Sequence, residues 1–311
     1  MSVYTLVDQP QLEAFLTRYA VGTLVDYKGI SDGIENTNYF VTTSEGEFVL
    51  TLFESTHPEE LPYFLKLMAF TADHGVPSAC PVIDQKGCYL QTLNNKPTAL
   101  VKRLTGKVEL SPNVEQCYIL GKTLGHFHTI SPNFPEYRAN DRGPNWWKQT
   151  AERVLPCLSI DDANLLSDEI QFQSDYKHLT LPKGVIHADL FRDNALFDGD
   201  RLCGLIDFYY ACNDILIYDL AVVVNDWCSM EDGKLENERM LAMLEGYQEI
   251  RPLSQKEKQA WPLMLRAAAL RFWLSRLQDL HFPREGEIVQ IKDPNVFRNI
   301  LLSRIIAQPI Q

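Results

Sequence analysis

The residues best suited to chemistry lie close together in one stretch of the chain, residues 185–208. His187, Asp189 and Asn194 have the spacing His-x-Asp-x4-Asn, and a short hairpin then leads to Asp207. A carboxylate on a tight loop can accept the proton of a hydroxyl group, while an amide oxygen and a second carboxylate can bind Mg2+. Phosphoryl transfer needs an oriented hydroxyl, a bound metal and an offset for the phosphate charge. The pattern therefore predicts Asp189 as a base, with Asn194 and Asp207 as metal ligands.

The part of the chain before these residues alternates apolar and polar side chains. A period of two predicts short strands at residues 39–42, 47–53, 87–92 and 98–103. A helix that starts after Asp8 and ends at Gly22 precedes them, and a second helix over residues 58–74 is inserted among them. Residues 1–101 are therefore predicted to form a small antiparallel sheet with an inserted helix.

The later part of the chain has a mainly helical pattern. Apolar residues with a period of 3.6 predict helices at residues 114–128, 146–158, 161–178, 216–227, 235–250, 255–280 and 295–306. The two patterns together predict an α+β fold with an N-lobe at residues 1–101, a linker at residues 102–107 and a helical C-lobe at residues 108–311. A ligand is expected in the cleft between the lobes.

Composition narrows the classes of partner. The chain has 311 residues and a net charge of −12, which argues against binding to nucleic acid or to anionic lipid, since both favour a basic surface. No stretch reaches the roughly 18 apolar residues of a membrane span, and the first residues lack the basic start and apolar run of a signal peptide. The 7 cysteines contain no CxxC pair and indicate free thiols. These features predict a cytoplasmic protein.

A loop with two glycines lies between predicted strands, at residues 29–38. Gly29 and Gly33 permit a close approach of the backbone, and such a loop can direct its N–H groups at phosphate oxygens. The polar candidates for nucleotide contacts in the same loop are Ser31, Asn36 and Asn38. The alternative is an ordinary hairpin turn, which two glycines would also suit.

The segment around Asp189 resembles the catalytic loop and the metal-binding Asp of the protein kinase-like superfamily. It is most similar to the branch of aminoglycoside phosphotransferases and choline kinases, because Ile-Asp-Phe-Tyr at residues 206–209 lacks the glycine that protein kinases have there. Asp-Leu-Ala at residues 219–221 matches a further motif of that branch, whose Asp is usually structural. The resemblance implies a protein kinase-like two-lobed fold, ATP as phosphoryl donor, Mg2+ as the metal and an orienting role for His187.

One residue departs from the pattern of the superfamily. The third strand normally carries a Lys or Arg that contacts the α- and β-phosphates, and Thr51 stands at that position. Another cation must then offset the phosphate charge. Arg192, inside the loop, is the candidate for a catalytic role, with Lys102 or Arg103 as the alternative. If Arg192 instead pairs with a nearby carboxylate such as Asp193, it only stiffens the loop.

Several stretches resemble one subfamily, the homoserine kinases built on the aminoglycoside phosphotransferase fold. They are residues 33–39, 48–52, 187–194, 207–214 and 225–227. Thr51 in place of the strand cation is typical of that subfamily. The resemblance extends over nearly the whole chain, and it implies that L-homoserine is phosphorylated to O-phospho-L-homoserine on the way to threonine.

A small amino acid needs an anion for its ammonium group and a cation for its carboxylate. Asp214 and Asn213, just past the metal-binding strand, are candidates for the ammonium group, and Tyr209 is a substrate candidate in the same matching stretch. The helix predicted over residues 261–280 is apolar nearly all round, and Arg271 on it is the candidate for the carboxylate. The alternative for each arginine of this helix is a structural pairing with a carboxylate of the fold.

Two other functions fit parts of the same pattern. A kinase of this fold that acts on another small alcohol, such as choline, an aminoglycoside or a sugar derivative, would keep the same catalytic residues. A non-catalytic pseudokinase that only binds its ligands would explain the missing strand cation at Thr51. The presence of Asp189, Asn194 and Asp207 argues against the pseudokinase.

Overall fold

A computed structural model describes residues 5–30, 36–283 and 292–306. Contacts between residues divide the chain into two compact units. The first unit consists of Met1–Lys107, Leu196–Asp198 and Cys203–Tyr209, and the second of Val108–Ala195, Gly199–Leu202 and Tyr210–Gln311. The division therefore assigns alternate segments of residues 196–209 to the two units.

The first unit is built on an antiparallel sheet. Its strands are β1 (Leu24–Gly29), β2 (Asn36–Thr43), β3 (Gly46–Phe53), β4 (Leu90–Leu93) and β5 (Lys96–Lys102). They lie in the order β1-β2-β3-β5-β4, and two helices accompany them, α1 (Gln9–Leu16) and α2 (Leu61–Asp73). Leu50 and Leu52 of β3 are fully buried, because side chains two apart on a strand point to the same face. The predicted antiparallel sheet with its inserted helix is confirmed.

The helix α1 begins where it was predicted and ends earlier. The Asp8 side chain accepts a hydrogen bond from the backbone N–H of Gln11, and the Gln11 side chain accepts one from the N–H of Asp8. The helix ends at Leu16 rather than at Gly22, because the chain continues in single turns that bury Tyr19 in the core. Gly22 lies in the approach to β1, with a φ of 77° that favours glycine.

The second unit is mainly helical, as predicted. Its helices include α3 (Val114–Ile130), α4 (Pro144–Val154), α5 (Ile160–Phe172), α6 (Leu216–Trp227), α7 (Asn237–Ile250), α8 (Gln255–His281) and α9 (Pro294–Ile306). The observed bounds of α6 are those predicted from the sequence. The α5 helix is shorter than predicted, because the chain tightens into a 3-10 helix over Gln173–His178.

Short strands flank the residues that the sequence predicted to act in chemistry. They are β6 (Lys107–Val108), β7 (Lys183–Ile186), β8 (Ala195–Asp198), β9 (Arg201–Leu205) and β10 (Cys212–Ile215). The β7 and β10 strands form an antiparallel pair, and the other three form a sheet in the order β6-β8-β9. The loop that follows β7 contains Asp189, and the segment that follows β9 contains Asp207.

Glycines allow α3 and α7 to pack with their backbones in close contact. A Cβ atom added to Gly121 of α3 would overlap the carbonyl oxygen of Met243 on α7. A Cβ atom added to Gly246 of α7 would overlap the carbonyl oxygen of Tyr118 on α3 in the same way. Only a residue without a side chain permits this approach at both positions.

Two further observations concern the class of protein. Among the helices of the described residues, none combines the length and the apolar character that a bilayer crossing requires. All of the cysteines are free thiols, as the sequence predicted.

Candidate active site

A buried carboxylate holds the loop that follows β7. Asp219, in the first turn of α6, accepts a hydrogen bond from the backbone N–H of His187 and another from that of Ala188, each 2.8 Å long. The Asp219 side chain is fully buried. It therefore fixes the backbone immediately before Asp189, in agreement with the structural role that the resemblance implied for it.

The residue before the predicted base has an unusual backbone conformation. Ala188 has a φ of 65°, in the left-handed region that residues with a Cβ atom rarely adopt. The conformation costs roughly 1–3 kcal/mol and persists only where the surroundings impose it. The two hydrogen bonds to Asp219 provide that constraint.

Asp189 lies next to an amide and a guanidinium group of the same unit. The Nδ2 atom of Asn194 donates to the Asp189 carbonyl oxygen at 2.8 Å and approaches its Oδ2 atom at 3.4 Å. Nη1 of Arg271 lies 4.0 Å from Asp189 Oδ1. The Asp189 side chain keeps 18% of its surface exposed, so a hydroxyl group can reach it. The second unit thus brings Asp189, Asn194 and Arg271 together.

The donor set fits magnesium. Because the Nδ2 atom of Asn194 donates to Asp189, the oxygen of the same amide is the atom that a metal ion would use. Asp207 belongs to the first unit, has an exposed side chain and has a φ of 62°. Within the described ranges, no three His, Cys, Asp or Glu side chains cluster as a metal site. Mg2+ does not need such a cluster, since one or two protein oxygens and substrate phosphates suffice.

Arg192 is held by a carboxylate that the sequence did not suggest. Its Nε atom donates to Asp226 Oδ2 at 3.1 Å, and its Nη1 atom donates to the carbonyl oxygen of Leu110 at 2.8 Å. The backbone N–H of Arg192 also donates to Asp226, at 2.8 Å. Asp193, the partner named from the sequence, instead accepts from Lys292 at 3.2 Å. The alternative in which Arg192 stiffens the loop is therefore supported with a different partner, and its catalytic role stays a prediction.

The three arginines of α8 have different surroundings. Arg266 pairs with the buried Glu169, with Nε 3.0 Å from Oε2. Arg276 donates to the carbonyl oxygen of Asp293 at 2.8 Å. Arg271, which is 5% exposed, is the one that faces Asp189. The structure thus distinguishes Arg271 from the other two, as the sequence analysis had selected it.

Asp214 is a buried carboxylate that is held by two hydrogen bonds. It accepts hydrogen bonds from Asn140 Nδ2 at 2.6 Å and from the N–H of Ile215 at 2.8 Å. No basic side chain of the described residues pairs with it, and burial raises its pKa above the ordinary value. The neighbouring Asn213 has another task, because its Oδ1 atom accepts from the backbone N–H of Arg138 at 3.0 Å.

The nucleotide candidates belong to the first unit. Gly29 pairs with Tyr39, and Oδ1 of Asn38 accepts a 2.7 Å hydrogen bond from the Thr51 hydroxyl. Oδ1 of Asn36 accepts from the N–H of Glu54 at 3.4 Å. These contacts hold the open end of the β2–β3 hairpin. The other two candidates in this loop, Ser31 and Gly33, lie outside the described residues.

The alternative cations lie towards the other end of β3. Thr51 faces Ala99 on β5, whereas Lys102 faces Phe48, so Lys102 is three strand positions from the Thr51 register, about 10 Å along the sheet. Arg103 contacts Glu47 at 3.4 Å and its Cζ atom lies 4.1 Å from the centre of the Phe40 ring. Neither residue is thus a sheet neighbour of Thr51.

Tyr209, a substrate candidate from the sequence, packs within the first unit. Its ring meets those of Phe53 and Phe64 edge to face, with centroids 5.2 and 5.7 Å away. This contact is hydrophobic packing. A role of Tyr209 in substrate binding stays a prediction.

Sequence reasoning missed residues that support the loop from a distance. His128 on α3 contacts Asp219, and Tyr247 on α7 contacts His128. Nothing in the local sequence marks these residues, because they meet only when three helices pack. Asp226 was detectable, since residues 225–227 are one of the stretches that carry the resemblance.

Comparison with known proteins shows similarity in sequence and in fold. The chain matches the phosphotransferase enzyme family over residues 26–253. It is 47% identical to a homoserine kinase of Methylobacillus flagellatus, with 99% of this chain and 97% of the relative covered. It is 46% identical to a homoserine kinase of Neisseria meningitidis serogroup B, with 97% and 99% covered.

Solved structures of more distant proteins match the whole chain. The amicoumacin kinase hAmiN, solved with AMP-PNP, Ca2+ and Ami, has a TM-score of 0.70 at 15% identity, with 96% of this chain and 92% of that one covered. A spectinomycin phosphotransferase, solved with ADP and spectinomycin, has the same TM-score and identity, with 97% and 99% covered. These similarities confirm the predicted protein kinase-like fold. The chain therefore belongs to the phosphotransferase enzyme family, among relatives named homoserine kinases.

Proposed function

We propose that the chain transfers the γ-phosphoryl group of ATP to the hydroxyl group of L-homoserine and so forms O-phospho-L-homoserine. The observation that carries the proposal is the 47% identity with a homoserine kinase over 99% of the chain. The reaction belongs to threonine biosynthesis, and because it consumes ATP we assign it to the cytoplasm.

Asp189 is the proposed base. It orients the substrate hydroxyl and accepts its proton as the oxygen attacks the phosphorus atom. Its partly exposed carboxylate and the hydrogen bond from Asn194 to its carbonyl oxygen support this role. Arg192 is proposed to hold the loop through Asp226, and a contact of its guanidinium group with phosphate stays a prediction.

The proposed magnesium ligands are Asn194 and Asp207, each of which supplies a hard oxygen atom. A magnesium ion bound to them and to the phosphates would offset negative charge in the transition state. The proposed nucleotide contacts are those predicted from the sequence, namely Gly29, Ser31, Gly33, Asn36, Asn38, Lys102 and Arg103. The hydrogen bond from Thr51 to Asn38 supports a structural role for Thr51 rather than a phosphate contact.

The proposed contacts with the amino-acid substrate match the charges of its ammonium and carboxylate groups. Asp214 is a buried carboxylate that forms no salt bridge with the described residues, which suits an ammonium group, and Asn213 fixes the adjacent backbone through Arg138. Arg271 is buried beside Asp189 and suits the substrate carboxylate. Tyr209 is retained as a further proposed substrate contact.

The experiment that tests the proposal measures ADP release with a panel of acceptors. L-Homoserine should give the highest kcat/KM, ahead of L-serine, choline and an aminoglycoside. A higher kcat/KM for one of the other alcohols would show that the substrate belongs to that class instead. Purified, folded protein that releases ADP with none of them would support the non-catalytic alternative.

A further inference from the structure

A line of hydrogen bonds runs from the C-terminal end of α7 through α3 and α6 to the catalytic loop. Nη1 of Arg251 donates to the hydroxyl oxygen of Tyr247 at 3.1 Å. That hydroxyl lies 2.7 Å from Nδ1 of His128, and Nε2 of His128 lies 3.1 Å from Oδ2 of Asp219. Asp219 in turn accepts the two backbone N–H groups that precede Asp189. We call this line of side chains the relay.

The chemistry of the side chains determines which group donates and which accepts in each hydrogen bond of the relay. A guanidinium group only donates, so the Tyr247 oxygen accepts from Arg251. A carboxylate only accepts, so Nε2 of His128, which faces Asp219, must donate, and the Tyr247 hydroxyl then donates to Nδ1. Nδ1 therefore carries no proton, and the proton of the neutral ring is on Nε2. That N–H donates to the carboxylate of Asp219. With this tautomer of His128, every donor in the relay has an acceptor.

The charges around His128 agree with a neutral ring. Burial lowers the pKa of His128, against the opposing effect of Asp219 on α6 and of Glu257 on α8, while Arg251, the residue that follows α7, lowers it further. Burial acts to raise the pKa of Asp219, but the hydrogen bonds that it accepts lower it overall. The relay therefore contains one ionised carboxylate and one neutral imidazole.

The outer end of the relay is anchored. Nη2 of Arg251 donates to Oε1 of Glu257 at 2.8 Å, and Glu257 is itself buried. The other oxygen of Glu257 accepts from the N–H of Ser254 at 2.9 Å, which closes the capping box of α8. Glu257 thus fixes the orientation of the Arg251 guanidinium group that donates to Tyr247.

We propose that Tyr247 and Arg251 are positioning residues for phosphoryl transfer, because they hold the His128 ring in the orientation in which Nε2 donates to Asp219 and so support the carboxylate that holds the catalytic loop. The proposal rests on the proposed function. Ala188 keeps its φ of 65° only while Asp219 accepts its N–H. If the His128 ring turns without its contact to Tyr247, the Asp219 carboxylate loses a donor and holds the loop less firmly.

The first test reads the tautomer directly. In protein labelled with 15N-histidine, the His128 signal is assigned by its absence from His128→Gln. The wild-type ring should show a protonated Nε2 and an unprotonated Nδ1 throughout roughly pH 6–8. A proton on Nδ1 in the wild type would overturn the proposed direction of the relay.

The second test reads the consequence in Tyr247→Phe, which removes only the hydroxyl group. We expect kcat for L-homoserine to fall about 10- to 100-fold, as for a displaced catalytic group, with the KM for ATP changed less than about twofold. The backbone amides of His187 and Ala188 should exchange faster with deuterium. Arg251→Lys keeps a donor, so it should lose less activity than Arg251→Ala, and this pair replaces Tyr247→Phe if that variant does not fold.

The matched control is Tyr118→Phe, which removes a hydroxyl that joins α3 to Glu249 on α7 at the exposed side of the same helix pair. It should leave kcat and amide exchange unchanged. Tyr247→Phe with normal kcat and exchange would overturn the positioning role. If the wild type phosphorylates no alcohol, the proposed function fails, whereas the tautomer and exchange measurements still decide whether the relay holds the loop.

Discussion

Nη1 of Arg271 lies 4.0 Å from Oδ1 of Asp189, so a buried guanidinium group faces the proposed base. Its Cζ atom also lies 3.8 Å from the centre of the Phe272 ring and 5.3 Å from that of Tyr210. The aromatic rings limit the directions in which the guanidinium group can turn. A substrate carboxylate could therefore bind to Arg271 close to the base, and this would place the hydroxyl of a short amino acid within reach of Asp189.

We expect Arg271→Ala to raise the KM for L-homoserine about 10- to 100-fold, because a charge-assisted hydrogen bond contributes about 1.5–3 kcal/mol. The matched substrate is 3-amino-1-propanol, which is L-homoserine without its carboxylate. Kinetics with it should be poor in the wild type and should not become worse in the variant. An equal loss of kcat/KM for both substrates would show that Arg271 acts on the base rather than on the carboxylate.

Asp214 should show opposite effects on stability and on binding. Burial raises its pKa in the folded protein above the ordinary value of 3.8, so the folded state binds a proton more readily than the unfolded state. The free energy of unfolding therefore falls as pH rises from about 4 through the folded pKa, and at neutral pH the charged carboxylate destabilises the fold.

Asp214→Asn should accordingly raise Tm at neutral pH while it raises the KM for L-homoserine. The Tm difference should shrink as the pH approaches 4, where the wild-type group is protonated too. The KM for 4-hydroxybutanoate, which lacks the amino group, should not increase. A lower Tm with an unchanged KM for L-homoserine would assign Asp214 a purely structural role.

The base prediction can be tested without altering the loop. Asp189→Asn keeps the size of the side chain, and it should lower kcat by about 10²- to 10⁴-fold, the usual contribution of general-base catalysis. Binding of ATP, measured by calorimetry, should persist. Turnover close to that of the wild type would remove Asp189 from the role of base.

The effects of substitutions at Arg192 and Asp226 on kcat should not be additive. Asp226→Ala removes both contacts, whereas Arg192→Ala removes only the side-chain contact, so Asp226→Ala should lower kcat at least as much as Arg192→Ala, and the double variant should lose little more than Asp226→Ala. A far larger loss for Arg192→Ala would instead support the phosphate contact predicted from the sequence. In that case Thr51→Lys should partly restore activity to Arg192→Ala.

Much of this site follows from the sequence, because its residues are close along the chain. Asp189 and Asn194 share one loop, and the spacing to Asp207 matches a short hairpin of two strands. The turn chemistry and the periodicity near these residues are local signals. The α6 helix was predicted with its observed bounds for the same reason.

The contacts that could not be predicted join residues far apart in the sequence. The alternative partner considered for Arg192 was its neighbour Asp193, but Arg192 binds Asp226 on α6. His128 and Tyr247 meet because α3 and α7 approach closely, and periodicity alone does not say which two helix faces pack together. A single sequence predicts the elements of the fold better than the partners of each charged group.

The close packing of α3 and α7 provides a final prediction. Replacement of glycine by alanine inside a helix normally stabilises it by about 1 kcal/mol. For Gly246→Ala we expect the opposite sign, a loss of about 1–3 kcal/mol, because the added methyl group would overlap the carbonyl oxygen of Tyr118. Urea denaturation would measure the difference. Gly143→Ala is the control. Its Cβ atom would lie 3.3 Å from the nearest atom, the Asn140 carbonyl oxygen, so this substitution should cost less stability.

If the helices move apart to accept the methyl group of Gly246→Ala, the hydrogen bond between Tyr247 and His128 should lengthen, and kcat should fall together with stability. A Gly246→Ala protein that is more stable than the wild type would show that the two backbones are not in contact.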